Sequence, residues 1–74
     1  MSGFTEAVMA ELDAEWRSTR EIAGRIPTRG VSDNSHMTNV GRVLRKAERD
    51  GLAEGRMVPA PHGRDKQWKR RSRT

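Results

Sequence analysis

Ser35-His-Met-Thr-Asn-Val-Gly-Arg-Val-Leu-Arg-Lys-Ala-Glu-Arg-Asp-Gly-Leu52 is the stretch that decides how this chain folds. Within it Val40, Val43, Leu44 and Ala47 recur three and four residues apart, the period of one buried stripe on an α-helix. At roughly 100° per residue, Thr38, Arg42, Arg45 and Arg49 fall on the opposite side, with Asn39 and Lys46 on the flank. One side of this helix belongs in a core, and the other is polar and cationic. Gly51 follows Arg49-Asp50 as a C-terminal stop, because glycine enters the left-handed conformation at little cost. Leu52 is then expected to return to the core. Ser32, Asp33 and Ser35 are all competent N-caps, so the start of the helix is open over that range.

Outside this helix the composition sets narrow bounds. The chain has 74 residues, 32% hydrophobic and 34% charged, which suits one small domain with a small core. It has no Cys, hence no disulfide framework and no thiolate zinc site. No apolar run is long enough to span a membrane, and nothing resembles a signal peptide, so the expected compartment is the cytoplasm. The net charge of +5 is unevenly spread: residues 1–40 carry four Arg and six acids, residues 41–74 eleven Lys or Arg and four acids. An acidic half followed by a basic half points to one surface built for a polyanion. The plain alternative is a solvated basic tail, but the positive charge begins inside the patterned helix.

Residues 1–3 and 72–74 are expected to be flexible ends, which leaves a single domain over 4–71. Phe4, Val8, Met9 and Leu12 mark a first amphipathic helix, with Ser2 or Thr5 as cap. Glu6, Glu11, Asp13 and Glu15 cover its other face. Trp16 suits a core position or a short strand packed over the helices, with ligand stacking as the alternative. Ser18-Thr19-Arg20-Glu21 fits the capping box, in which each end residue bonds the other's backbone amide. Ile22, Ala23 and Ile26 follow, and Pro27 closes a second helix over 19–26. Residues 27–34 are turn formers, with Val31 dipping into the core and Arg29 either meeting a phosphate or simply solvated. Residues 52–58 read as a strand, 59–65 as turn formers that end it, and 66–71 as a returning strand with Trp68 inward. The pattern predicts a hairpin with a seven-residue tip.

The order helix, short capped helix, helix and basic hairpin resembles the winged helix-turn-helix domains, in particular their small bacterial and phage regulators. Residues 16–23 (Trp-Arg-Ser-Thr-Arg-Glu-Ile-Ala) are similar to the opening of the second helix in that superfamily. Val40-x-x-x-Leu44 with Glu48-x-x-Gly51-Leu52 resembles the end of its recognition helix, and residues 52–71 resemble its wing. The resemblance implies an α+β fold, mostly α: three helices followed by a two-stranded β-hairpin wing. It implies sequence-specific binding of double-stranded DNA by a transcriptional regulator or a phage or mobile-element regulatory protein, nucleoid-associated when bound. Helix 35–50 would then enter the major groove, where each base pair shows a distinct donor–acceptor pattern. His36, Thr38, Asn39 and Arg42, near its N-terminus, would contact bases. Asn39 suits adenine, Arg42 guanine, and Thr38 a thymine methyl or a phosphate.

Within the same resemblance, Arg45, Lys46 and Arg49 meet phosphates. Arg64 and Lys66, with His62 at the tip, lie along the backbone or in the minor groove, and Lys69, Arg70, Arg71 and Arg73 add charge. Thr19 and Arg20 bind a phosphate through their amides and the helix dipole. The implied protein is a monomer in solution, with pairing on DNA left open, and needs no cofactor and no metal. His36 and Met37 also lie near the apolar stripe and equally suit half-buried core positions. Two features depart from the family pattern. The loop 27–34 is longer than a tight turn, and Gly41 costs its helix roughly 1 kcal/mol relative to Ala. Either a backbone, of DNA or of the second helix, approaches Gly41 closely, or a side chain there would clash with the second helix.

The rival reading is a protein-binding module that docks through its acidic first helix. RNA binding is disfavoured by the few aromatics free to stack on unpaired bases. Enzyme chemistry finds no constellation: His36 and His62 are far apart without a carboxylate motif for a metal. There is no Gly-rich phosphate loop and no nucleophile–base pair.

Overall fold

The computed structural model describes residues 3–28 and 30–71. The expectations placed on residues 1–2, on Arg29 and on 72–74, including the Ser2 cap and the Arg73 charge, lie outside the described residues. The architecture is α+β, with three helices and a three-stranded antiparallel sheet.

The apolar stripe of the opening stretch produces α3, Asp33–Arg49. Ser32 is its cap: the Ser32 Oγ accepts the Ser35 N–H at 3.2 Å, satisfying one of the free amides of the first turn. At the other end Gly51 adopts φ 78°, and the Leu52 amide turns back to the Ala47 carbonyl at 2.8 Å. The first helix, α1, spans Gly3–Ala10, so Gly3 is helical rather than part of a loose end. It closes with two short turns, the amides of Glu11 and Leu12 donating to Val8 and Met9 at 3.1 and 3.2 Å. Glu11, Leu12, Asp13 and Glu15, expected on that helix, lie beyond its end. The second helix, α2, is Thr19–Gly24, and Arg25 and Ile26 follow as a tighter turn rather than as helix. Its cap is half the expected box. Ser18 Oγ accepts the Glu21 N–H at 3.0 Å, but the Glu21 carboxylate turns to Arg17 at 3.0 Å.

Strand β1 is Arg17–Ser18, β2 is Ala53–Ala60 and β3 is Gly63–Arg70. β3 is central, in the order β1-β3-β2, so the sheet has three strands rather than the two expected. The hairpin is also tighter than its sequence suggests. Ala60 pairs with Gly63 and Pro59 with Arg64, leaving only Pro61 and His62 as the turn. Pro59 was expected to end the strand; it is tolerated because β2 is an edge strand, where a missing N–H need not break a ladder bond.

The core gathers Val8, Leu12, Ile22, Ala23, Ile26, Val40, Leu44, Ala47, Ala53 and Trp68. Trp68 points inward as expected, and its Nε1–H donates to Thr19 Oγ1 at 2.8 Å, tying the hairpin to the first turn of α2. Two expected core residues are outside: Val31 is 44% and Leu52 45% exposed. Ala53 takes the inward place beside α3 because it starts β2 on the face shared with Trp68. No helix among the described residues is long and apolar enough to cross a membrane.

Candidate nucleic-acid interface

A groove of about 380 Å³ runs between the start of α2, one row of α3 and the hairpin. Thr19 and Arg20 form one wall, Thr38, buried Gly41 and Arg45 the floor, and Lys66 with the acid Asp65 the other wall. The floor residues are three and four apart, so helical geometry stacks them in one row. Arg20 and Thr38 also line a second hollow, of about 750 Å³, between α2 and the start of α3, and so form the ridge separating the two. Arg42 and Arg49 are exposed beside this row.

The charges on this surface are unspent. Among the described residues, Arg20, Arg42, Arg45, Arg49 and Arg64 have no carboxylate within ion-pair distance. Cations elsewhere are mostly engaged. Arg17, with its side chain 15% exposed, pairs with Asp13 at 2.7 Å and Glu21 at 3.0 Å. Arg25 lies 3.6 Å from both Glu11 and Glu21. Four of the acids that might have formed a bare negative face are thereby held by Arg17 and Arg25, since Glu15 also lies 3.8 Å from Arg17. The Arg17 hydrogen bond, helped by the Glu15 amide, holds the Asp13 carboxyl below its usual value, and the same pairing raises Arg17.

The residues expected to contact DNA separate into those the fold brings together and those it does not. Thr38, Arg42, Arg45 and Arg49 share the exposed side of α3, with Arg20 and Lys66 across the groove. Lys66 reaches Glu48 Oε1 at 3.4 Å and lies 4.6 Å from the Trp68 ring centre, which fixes the wall of the groove. Arg64 is two residues farther out on the same face of β3, beside exposed Met57 and Pro59. Met57, 54% exposed, is the large apolar group of this face. Which face it takes depends on hairpin register, which local sequence leaves open.

Other expected contacts stand elsewhere. His36, expected among the base readers, is 4% exposed: its Nε2 bonds the Ala23 carbonyl at 2.9 Å, and Phe4 packs edge-on with ring centres 6.0 Å apart. It sits roughly 40° from the centre of the stripe, close enough for α1 and α2 to cover it. Asn39 and Lys46 occupy the flank of α3 away from Gly41, and Lys46 pairs with Asp50 at 3.1 Å. Lys69 lies on the outer face of the sheet, 5.0 Å from the Trp16 ring centre, with Arg56 at 4.3 Å over the same ring. That places Trp16 on the sheet surface rather than in the core. Arg70 donates to the Met9 carbonyl at 3.1 Å, and the Arg71 amide bonds Leu52 at 3.1 Å, both at the base of the hairpin. Thr19 Oγ1 accepts the Trp68 Nε1–H, and Thr19 and Arg20 form the first turn of six-residue α2. At the hairpin turn His62 bonds Asp65 at 2.8 Å.

The departures at Gly41 and Gly55 are informative. A Cβ at Gly55 would come within 2.7 Å of Lys66 Cε, 2.8 Å of Glu48 Oε2 and 3.1 Å of Trp68 Cζ3, so this glycine lets the hairpin close on α3. A Cβ at Gly41 would meet only Arg45 Nη2, at 3.9 Å, so neither a clash with α2 nor its close approach explains that glycine. Among the described residues, no three His, Cys, Asp or Glu side chains gather as metal ligands. No family model, no curated protein and no solved structure matches the chain.

Proposed function

We propose that this chain is a winged helix-turn-helix protein that binds double-stranded DNA, with α3 in the major groove and the β2–β3 hairpin as the wing along the backbone. The observation that carries the proposal is the row of exposed arginines on α3 without carboxylate partners among the described residues, Arg42, Arg45 and Arg49, with Arg20 across the groove from Arg45 and Arg64 farther out on the hairpin. An unpaired cationic row on a helix of 17 residues suits a polyanion whose major groove admits a helix. Thr38 and Arg42, in the N-terminal half of α3, are the base readers of this scheme. Arg20, Arg45, Arg49 and Arg64 hold phosphates and so position the helix, while Lys66, held by Glu48 and the Trp68 ring, shapes the groove wall. A cytoplasmic regulatory role, monomeric before binding and without a catalytic step, belongs to the same proposal. Docking of a protein on the acidic residues finds less support, because Glu11, Asp13, Glu15 and Glu21 already face Arg17 and Arg25. Mobility shift with random-sequence duplexes tests the proposal: binding at low salt that weakens steeply as salt rises is expected, and no shift of any duplex refutes it.

A further inference from the structure

We infer that Thr38 selects thymine through its methyl group, and that its hydroxyl contacts neither a phosphate nor a base. The inference rests on the DNA reading above and names the base that one of its readers takes.

At roughly 100° per residue, Thr38 points almost straight away from Val40, Val43, Leu44 and Ala47, so it stands on the crest of α3, in its N-terminal half. It is exposed, and with Arg42, Arg45 and Arg49 it forms one outward row in which it alone carries no charge. A short hydroxyl there would suit a phosphate oxygen or a base acceptor, but its proton is committed. Thr38 Oγ1 donates to the Asn34 carbonyl at 3.0 Å, one turn back on the same helix. A hydroxyl has a single proton to donate, so none is left for DNA.

The same bond decides what Thr38 presents. Its β-carbon carries the oxygen and a methyl in separate staggered positions. With the oxygen folded back along the helix, the methyl is the group left on the surface. Met37 and Val43, apolar neighbours on α3, are packed against the core, so this methyl is the apolar point of the row. Base edges in the major groove show donors, acceptors and one apolar group, the C5-methyl of thymine. Two methyl groups in contact leave water together, whereas a methyl against a donor or an acceptor strips that polar group of water and returns no hydrogen bond. Thr38 therefore favours thymine over the other bases.

The test selects a preferred duplex from a random-sequence pool and then replaces its thymines one at a time with uracil, which lacks only the C5-methyl. For the unaltered protein, one such replacement is expected to weaken binding about fourfold, the worth of one buried methyl. Thr38→Val keeps the methyl and loses the hydroxyl; it should bind as tightly as the original, with the same sensitivity at that thymine. Thr38→Ser keeps the bond to Asn34 and loses the methyl; it should bind about fourfold more weakly, and thymine and uracil alike. Position 38 is exposed, so both variants are expected to melt as the original does. Weakened binding by a folded Thr38→Val protein, or a duplex in which no uracil replacement matters, overturns the inference and leaves DNA binding standing. If no duplex in the pool binds, the DNA reading itself fails, and that outcome is visible before any variant is made.

Discussion

Arg45 stands on the groove floor with no carboxylate within ion-pair distance among the described residues, whereas Arg70 donates to the Met9 carbonyl at 3.1 Å beside α1. A phosphate contact releases condensed counterions, so its loss flattens the dependence of affinity on salt. Arg45→Ala is expected to reduce the slope of log affinity against log salt by about 0.9, and Arg70→Ala to leave it unchanged. Equal changes in the two slopes would mean that the hairpin base touches DNA as much as the groove does. His36 belongs to the interior by the same kind of reasoning. Its bond to the Ala23 carbonyl and its contact with Phe4 join α1, α2 and α3. His36→Ala is expected to lower stability by about 1–3 kcal/mol in denaturant unfolding. Loss of DNA binding with undiminished stability would return His36 to the list of base readers.

Among the elements, α3 was the most legible, because a period of three and four with a cap and a glycine stop is written in adjacent residues. Leu44, fully buried, is the centre of that pattern, and Leu44→Ala is expected to cost about 2–5 kcal/mol and leave little native protein at room temperature. A stable, folded variant would mean that the faces of α3 are misassigned. The sheet was less legible. Pro59 in a strand and Pro59 in a turn look the same locally; only the neighbour on one side, supplied by β3, makes the difference. The two residues of β1 show no alternation at all, and they are a strand because Arg17 and Ser18 meet Trp68 and Gln67 from far along the chain. Leu52 is outside for a similar reason, since register, and not hydrophobicity, chose Ala53 to face the core. The segment joining α1 to α2 has its own signature in acid. Asp13 is held below its ordinary value of 3.8 by the Arg17 hydrogen bond. A carboxylate so depressed contributes its stabilisation above the ordinary value and loses it as pH falls through the lowered one. Melting temperature should therefore drop below about pH 4 by less in Asp13→Asn than in the unaltered protein; identical acid profiles would show that the pair contributes nothing.

At the scale of the whole molecule, charge is sorted by location. The acids from Glu11 to Glu21 are matched by Arg17 and Arg25 near α1, while Arg20 and Arg45 line the groove without a carboxylate partner among the described residues. The sequence shows the imbalance between its halves, but which cations are already engaged emerges only when Lys66 meets Glu48, Lys69 meets Trp16 and Arg70 meets α1. The groove itself joins residues of α2, α3 and β3 that no local motif connects. The central claim is that the arginine face of α3 meets duplex DNA, and backbone amide NMR during titration with a random-sequence duplex tests it most directly. The account predicts shifts at Arg20, along Thr38 to Arg49 and at Arg64 to Lys66, fading as salt is raised. Absent shifts at low salt, or shifts confined to α1 and residues 11–15, would contradict it.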